Sequence, residues 1–244
     1  MFEKDFSHGS KFTGYMEIVV RLIEDGQRRQ KILDIPAGNG RLTACLRERG
    51  HEAVAADINR AGTDYVYANM SERLPFADGE FDTLVCLEGI EHVLDSAALI
   101  RELCRCTKSG GRIIISLPNI QCVFSRFNFL CTGCFYQFVP WNHRQLKPGE
   151  MIDRGHIAPL SYQQLAYLFG NYGAQLTQLA GDRWKKKWLI PFSLPFIGWG
   201  WLWMRWAVSR QKEVPAAECR EKIRHLFSAP LLFSRSLILV FERQ

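Results

Sequence analysis

The segment of this chain with the most chemical potential is Ile32-Leu33-Asp34-Ile35-Pro36-Ala37-Gly38-Asn39-Gly40-Arg41-Leu42. A buried-strand pattern ends in an acid, and a glycine-containing turn leads into a helical pattern. Gly38 and Gly40 permit unusual φ and let the backbone approach a ligand closely. A second acid, Asp57, ends the next apolar run, 17 residues beyond Gly40. At the carboxyl tip of a strand in an open α/β sheet, such a carboxylate can accept two hydrogen bonds from a ribose diol. A dinucleotide fingerprint would read G-x-G-x-x-G, with pyrophosphate on the helix N-terminus. Here Arg41, Leu42 and Thr43 follow Gly40, so the third glycine is missing. Asp34, four residues before Gly38, is a poor neighbour for pyrophosphate and suits a cationic ligand.

Other groups could move a proton. His92, His143, Asp153 and His156 all fall in loop-like stretches after apolar runs, where a general base for a hydroxyl acceptor would sit. His92 suits capping or orienting the adjacent helix equally well. His156, just before a helical pattern, suits a hydrogen bond at that helix's start. The eight cysteines read as reduced thiols. Cys131-Thr-Gly-Cys134 and Cys104-Arg-Cys106 have only Cys122 and His143 nearby, which completes no zinc pattern, so no metal site is expected.

The elements that position these groups follow an α/β rhythm. Strands are expected at Lys31–Ile35, Glu52–Asp57, Tyr65–Asn69, Thr83–Leu87, Arg112–Leu117 (after a Gly110-Gly111 turn), Ala174–Leu179 and Ser236–Phe241. Helical periodicity marks the stretch before Gly26 (Tyr15, Ile18, Val19, Leu22, Ile23), Arg41–Arg49, Ser96–Thr107, Ser161–Tyr172 (with Ser161 as N-cap and Gly173 as C-cap) and Ala216–Phe227. This predicts a Rossmann-like, doubly wound seven-stranded sheet in one domain over 1–244. Residues 121–155 would form a substrate-side insertion, and 181–235 a hydrophobic, Trp-rich insertion between strands six and seven. With 244 residues, 47% hydrophobic and 23% charged, the composition excludes disordered, collagen-like and coiled-coil chains. The net charge of +6 does not by itself argue for nucleic acid. No basic and apolar leader pattern opens the chain, and no stretch reaches the roughly 18 uninterrupted apolar residues of an ordinary transmembrane helix.

S-adenosylmethionine carries an α-ammonium and a sulfonium and no phosphate, which is the kind of cation Asp34 suits. The stretch Asp34 to Gly40 resembles motif I of the class I S-adenosylmethionine-dependent methyltransferases, usually D-x-G-x-G-x-G, with Pro36 where the first glycine is common and Ala37 where cysteine is common. Four further stretches continue the likeness: Ala68-Asn69-Met70, Leu74-Pro75-Phe76-Ala77-Asp78-Gly79-Glu80-Phe81-Asp82, Leu87-Glu88-Gly89-Ile90-Glu91-His92-Val93, and Lys108 to Arg112 with the following strand and Pro118-Asn119. The chain is similar to the type 11, quinone- and cell-envelope-glycan-methyltransferase-like members over roughly residues 30–120, and loosely over His156–Leu179. The resemblance implies S-adenosyl-L-methionine as cofactor. Pro36, Ala37, Gly38 and Gly40 would line its methionine and ribose region, and Asp34 would hold the ammonium, in part through water. Asp57, with Ile58 beside it, would hold the ribose hydroxyls. Asn69, in place of a more usual Asp, and Met70 would flank the adenine, and Leu87 and Glu88 would border the methyl-donor pocket. It also implies that His92 faces the cofactor and His156 the substrate side, as candidate catalytic residues.

The clue to the acceptor lies in residues 181–235, where the family usually has a short hairpin. From Trp188 to Met204 no charge appears in 17 residues, six of the seven tryptophans fall within 184–206, and basic residues flank both ends. Trp prefers the headgroup level of a bilayer and Lys or Arg the lipid phosphates, so Trp184–Trp206 is expected to touch a membrane surface. Pro191, Pro195, Gly198 and Gly200 break the run, which suggests an interfacial or shallow re-entrant element. A hydrophobic lid or an oligomer interface is the competing reading. The leading expectation is an enzyme peripherally bound to the cytoplasmic, inner face of a membrane and acting on an amphiphilic or lipid-linked acceptor, foremost a lipopolysaccharide or other cell-envelope glycolipid precursor. A quinone-precursor O-methyltransferase comes next, then a soluble small-molecule methyltransferase, then a membrane-docked scaffold that binds the cofactor without chemistry. No nucleic-acid partner is expected, and the oligomeric state is left open.

Overall fold

The computed structural model describes residues 14–24, 29–59, 64–139, 155–210 and 214–244. His143 and Asp153 lie outside the described residues. The strands β1 (Lys31–Asp34), β2 (Glu52–Asp57), β3 (Val66–Tyr67), β4 (Phe81–Leu87), β5 (Thr107–Pro118), β6 (Ala174–Gly181) and β7 (Ser236–Arg243) form one seven-stranded sheet in the order β3-β2-β1-β4-β5-β7-β6. All neighbours pair in parallel except β7, which is antiparallel to both β5 and β6. β6 therefore points the same way as β5, so Asp34, Asp57, Leu87, Pro118 and Gly181 all end strands at one edge of the sheet.

Both faces of that sheet are buried. Alternate residues of each central strand point to opposite sides. Leu84, Cys86, Ile113, Ile115, Leu239 and Phe241 pack towards α3 (Ser96–Cys106) and α5 (Tyr162–Asn171). Val85, Ile114, Ile238 and Val240 pack towards α1 (Gly14–Glu24) and α2 (Arg41–Glu48), against Val19, Ile23, Leu42 and Leu46. The doubly wound fold expected from the sequence is the one observed. Ser161 caps α5 as expected, in a capping box with Gln164, whereas the C-cap is Tyr172 and Gly173 follows it with φ +76°.

The boundaries moved where local chemistry overrode the pattern. β5 begins at Thr107, and Gly110-Gly111 lie inside it as an irregularity: Phe81 pairs with Thr107 but Thr83 with Arg112. A Cβ at Gly111 would fall 2.9 Å from the Asp82 carbonyl oxygen, so only glycine fits this close approach. The described part of 121–155 contains one helix, α4 (Val123–Thr132).

Between β6 and β7 run α6 (Leu189–Arg210), α7 (Ala216–Leu226) and α8 (Ala229–Phe233). The expected broken, re-entrant element is instead one continuous helix of 22 residues. Pro191 falls in the first turn, where no N–H is needed, and only Pro195 removes an interior hydrogen bond. No described helix is long and apolar enough to cross a membrane.

Asn119 ties this connection to the sheet. It is 2% exposed, its Nδ2 donates to the carbonyls of Leu231 (2.9 Å) and Ser234 (3.0 Å), and its backbone N–H donates to Arg235 (2.9 Å). Asn119→Ala leaves the Leu231 and Ser234 carbonyls without this side-chain donor. It is expected to lower unfolding stability by about 1–3 kcal/mol in a urea titration, and an unchanged midpoint would contradict this role.

Candidate active site

The site is built at the tips of β1 and β2. Asp34 is buried and accepts a 2.6 Å hydrogen bond from Thr43 Oγ1. Burial pushes its carboxyl up to about 7. The bonds from Thr43 oppose this rise and the neighbouring Asp57 charge adds to it. The turn that follows contains a cis Ile35–Pro36 bond, then Gly38 at φ +54° and Gly40 at φ +73°. Asp57 holds this turn from below: Oδ2 accepts from the Gly38 N–H at 2.9 Å and Oδ1 from the Asn59 N–H at 2.8 Å. Each carboxylate oxygen retains acceptor capacity, so the same group can still take a ribose hydroxyl.

Two close approaches shape the turn. A Cβ on Gly89, just past β4, would lie 2.4 Å from Pro36 Cδ. Gly89 thus makes room for the proline that stands in a motif-glycine position. A Cβ on Gly40 would lie 2.3 Å from the Tyr65 hydroxyl, which donates to the Gly38 carbonyl at 3.3 Å. Burial, then the nearby Asp34 and Asp57, push the Tyr65 phenol up, so it stays protonated as a donor. Tyr65 was not legible as a site residue, because only the fold lays it across the glycines.

Pro36, Asp57, Ile58, Asn69, Met70 and His92 line one cleft in front of this turn. Asn69 is partly committed locally, since Oδ1 accepts from the Ser71 N–H (3.0 Å) and Nδ2 donates to Glu72 (2.7 Å). Other expected positions do not line the cleft. Asp34 lies beneath the turn at 2% exposure, and Ala37 is buried within it. Leu87 packs into the core on the α1–α2 side. Glu88 takes φ +47°, and its carboxylate accepts from Ser116 Oγ at 3.1 Å on the neighbouring strand. Burial raises the Glu88 carboxyl, and Arg235 opposes that rise.

His92 and His156, 64 residues apart, meet with ring centroids 4.8 Å apart and planes at 81°. The cause is backbone pairing. The Glu91 carbonyl, in a 3-10 turn at Ile90–His92, accepts from the N–H groups of both Ile157 and Ala158 at 3.0 Å. Glu91 itself is fully buried, and neither carboxyl oxygen has a hydrogen-bond partner among the described residues. Burial, then the nearby Glu88, push its carboxyl well above the ordinary carboxylate range. Sequence reasoning passed over Glu91. Although no metal pattern was expected, Glu91, His92 and His156 each offer one ligand atom, and these atoms lie within 4.8 Å of one another. The cluster can pass a proton or hold a cation. The cysteines offer no such group: Cys86, Cys104, Cys106 and Cys122 are buried, and burial pushes each thiol up.

Two buried acids under a glycine turn fit a positively charged nucleoside ligand and reject a pyrophosphate. This crevice and the sheet order define a class I methyltransferase site. The chain belongs to the methyltransferase-domain family, whose model matches residues 8–179. It is similar to a ubiquinone biosynthesis O-methyltransferase of Pseudomonas aeruginosa, 32% identical over 178 residues that cover 64% of this chain and 75% of that one. It is also similar to a demethylmenaquinone methyltransferase of Mycolicibacterium paratuberculosis, 38% identical over 93 residues, 35% of this chain and 40% of that one. The chain thus spans about two fifths of the length of that relative. The fold matches a SAM-dependent methyltransferase from Archaeoglobus fulgidus with a TM-score of 0.61 at 17% identity, over 99% of this chain and 100% of that one. The chain thus carries a methyltransferase domain, with the fold seen in S-adenosylmethionine-dependent methyltransferases.

Asp34 generates a test of the electrostatics. Its proton leaves near 3.8 in the unfolded chain but is kept to about 7 in the cofactor-free fold. Its stabilising contribution is full below 3.8 and is lost as pH rises towards 7. Asp34→Asn, always neutral, is expected to show a smaller fall in melting temperature over that range. It should also bind S-adenosylmethionine at least about tenfold more weakly above pH 7. Superimposable pH profiles for wild type and variant would refute this.

Proposed function

We propose that this enzyme methylates a hydroxyl on the aromatic ring of a quinone precursor. The observation that carries the reading is His92, on the cofactor cleft and backed by His156, in a chain whose relatives act on ubiquinone and menaquinone precursors by name. The glycolipid acceptor favoured by the sequence has no such support and takes second place.

Bound S-adenosylmethionine supplies an electrophilic methyl carbon on a positive sulfur. The chain's own residues would act around it. Asp57 and the Gly38 turn would hold the ribose, while Ile58, Asn69, Met70 and Val93 would wall the adenine. Asp34 would offset the ligand's positive charge from beneath. His92 would take the acceptor's hydroxyl proton as the oxygen forms its new bond to carbon and the carbon–sulfur bond breaks. His156, packed edge-on against His92, would hold that ring in place. Alignment of the acceptor about 3 Å from the methyl carbon and exclusion of water supply the rest of the rate.

The test is incubation with S-adenosylmethionine and a catechol bearing a short prenyl tail, with mass spectrometry of the ring product. His92→Gln is expected to lower kcat by about 10²-fold or more while leaving cofactor affinity unchanged, with activity partly restored as pH approaches the phenol's own pKa. His156→Gln should have a smaller effect of the same kind. Full activity in both variants, or methyl transfer to a glycolipid extract but not to the catechol, would overturn the reading.

A further inference from the structure

Helix α6 presents a surface that a water-exposed domain does not ordinarily carry. None of its residues is buried. Phe196 is 79% exposed, Phe192 71% and Trp199 69%, and Trp188 just before the helix is 62% exposed. A helix that is apolar all round belongs in an apolar medium, and a contiguous apolar patch of this kind marks a contact surface. Its support is nevertheless firmly anchored. Leu231 and Leu232 of α8 are buried, Ile223 of α7 is 6% exposed, and Tyr162 Oη meets His225 Nδ1 at 2.8 Å.

Positive charge borders the apolar surface. Lys185, Lys186 and Lys187 precede α6, and Arg205 and Arg210 close it. Between α6 and α7 lies a cleft of about 620 Å³, in which Arg205, Arg220 and Arg224 surround apolar walls that include Trp201, Ile223 and Phe227. The Arg205 guanidinium lies 4.7 Å from the Trp201 ring centre. Arg224 is 3.6 Å from Glu221 in an exposed pair, while Arg205 and Arg220 make no ion pair among the described residues. Three guanidiniums over an aromatic floor match one chemistry, a phosphate attached to hydrocarbon.

We propose that this face docks onto an anionic phospholipid bilayer, with a lipid phosphate between Arg205, Arg220 and Arg224 and α6 lying in the headgroup region. A second copy of the chain would bring the same cations against these, whereas an anionic leaflet offers the complementary charge. Tryptophan between basic flanks suits the interface rather than a spanning position. β6, which precedes α6, ends at the same carboxyl end of the sheet as β1 and β2. The proposal is independent of which acceptor is methylated.

The test is flotation of the whole protein with vesicles of phosphatidylcholine alone or mixed with phosphatidylglycerol. The expected result is binding to the mixed vesicles, weakened by salt. The combined variant Arg205→Gln, Arg220→Gln, Arg224→Gln should bind them at least about 100-fold more weakly. Phe196→Ser with Trp199→Ser should also reduce flotation. Both variants should keep wild-type calorimetric affinity for S-adenosylhomocysteine, which separates loss of docking from loss of fold. Equal binding to both vesicle types, displacement of the protein by millimolar inorganic phosphate, or a dimer in light scattering that ignores vesicles would each overturn the proposal.

Discussion

Two carboxylates, Asp34 and Asp57, end adjacent parallel strands, lie almost fully buried, and have no basic side chain paired with either among the described residues. Burial removes the Asp34 carboxylate from water, with the neighbouring Asp57 charge adding to the effect, so Asp34 keeps its proton to about 7. The fold tolerates this because Thr43 and the Gly38 and Asn59 N–H groups donate to the pair. A cationic ligand in front of the turn relieves what remains. The chemistry of the site therefore follows from a constraint the fold imposes before any acceptor arrives.

Around that constraint the carboxyl edge of the sheet is arranged in layers. Tyr65 lies over the glycines, and Gly89 yields space to Pro36. The Glu91 carbonyl draws the segment after His156 back to the tip of β4, so a proton acceptor stands beside the cleft. Further along the edge, Asn119 locks α8 and the start of β7, which fixes the base from which α6 projects.

Much of this was legible in residue order, for physical reasons. Strand-period apolar runs such as Ile32–Leu33 and Ile113–Ile115 have one stable use, burial on both faces of a parallel sheet. Asp34, Gly38, Gly40 and Asp57 are close in sequence because strand, turn and helix are contiguous. What escaped depended on long-range placement. Tyr65 and Glu91 gain their roles from segments they do not adjoin. The hydrogen bond from Ser116 Oγ to Glu88 likewise joins neighbouring strands, β4 and β5, that are far apart in sequence. In α6, prolines read as breaks, but one of them sits in the first turn, where a missing N–H costs the helix no bond.

The most direct measurement of the central claim is a crystal structure of the protein with S-adenosylhomocysteine. The account predicts the ribose hydroxyls on Asp57, the amino-acid end over the Gly38–Gly40 turn above Asp34, and the sulfur facing His92. A ligand bound elsewhere, or a pyrophosphate nucleotide seated on that turn, would contradict it.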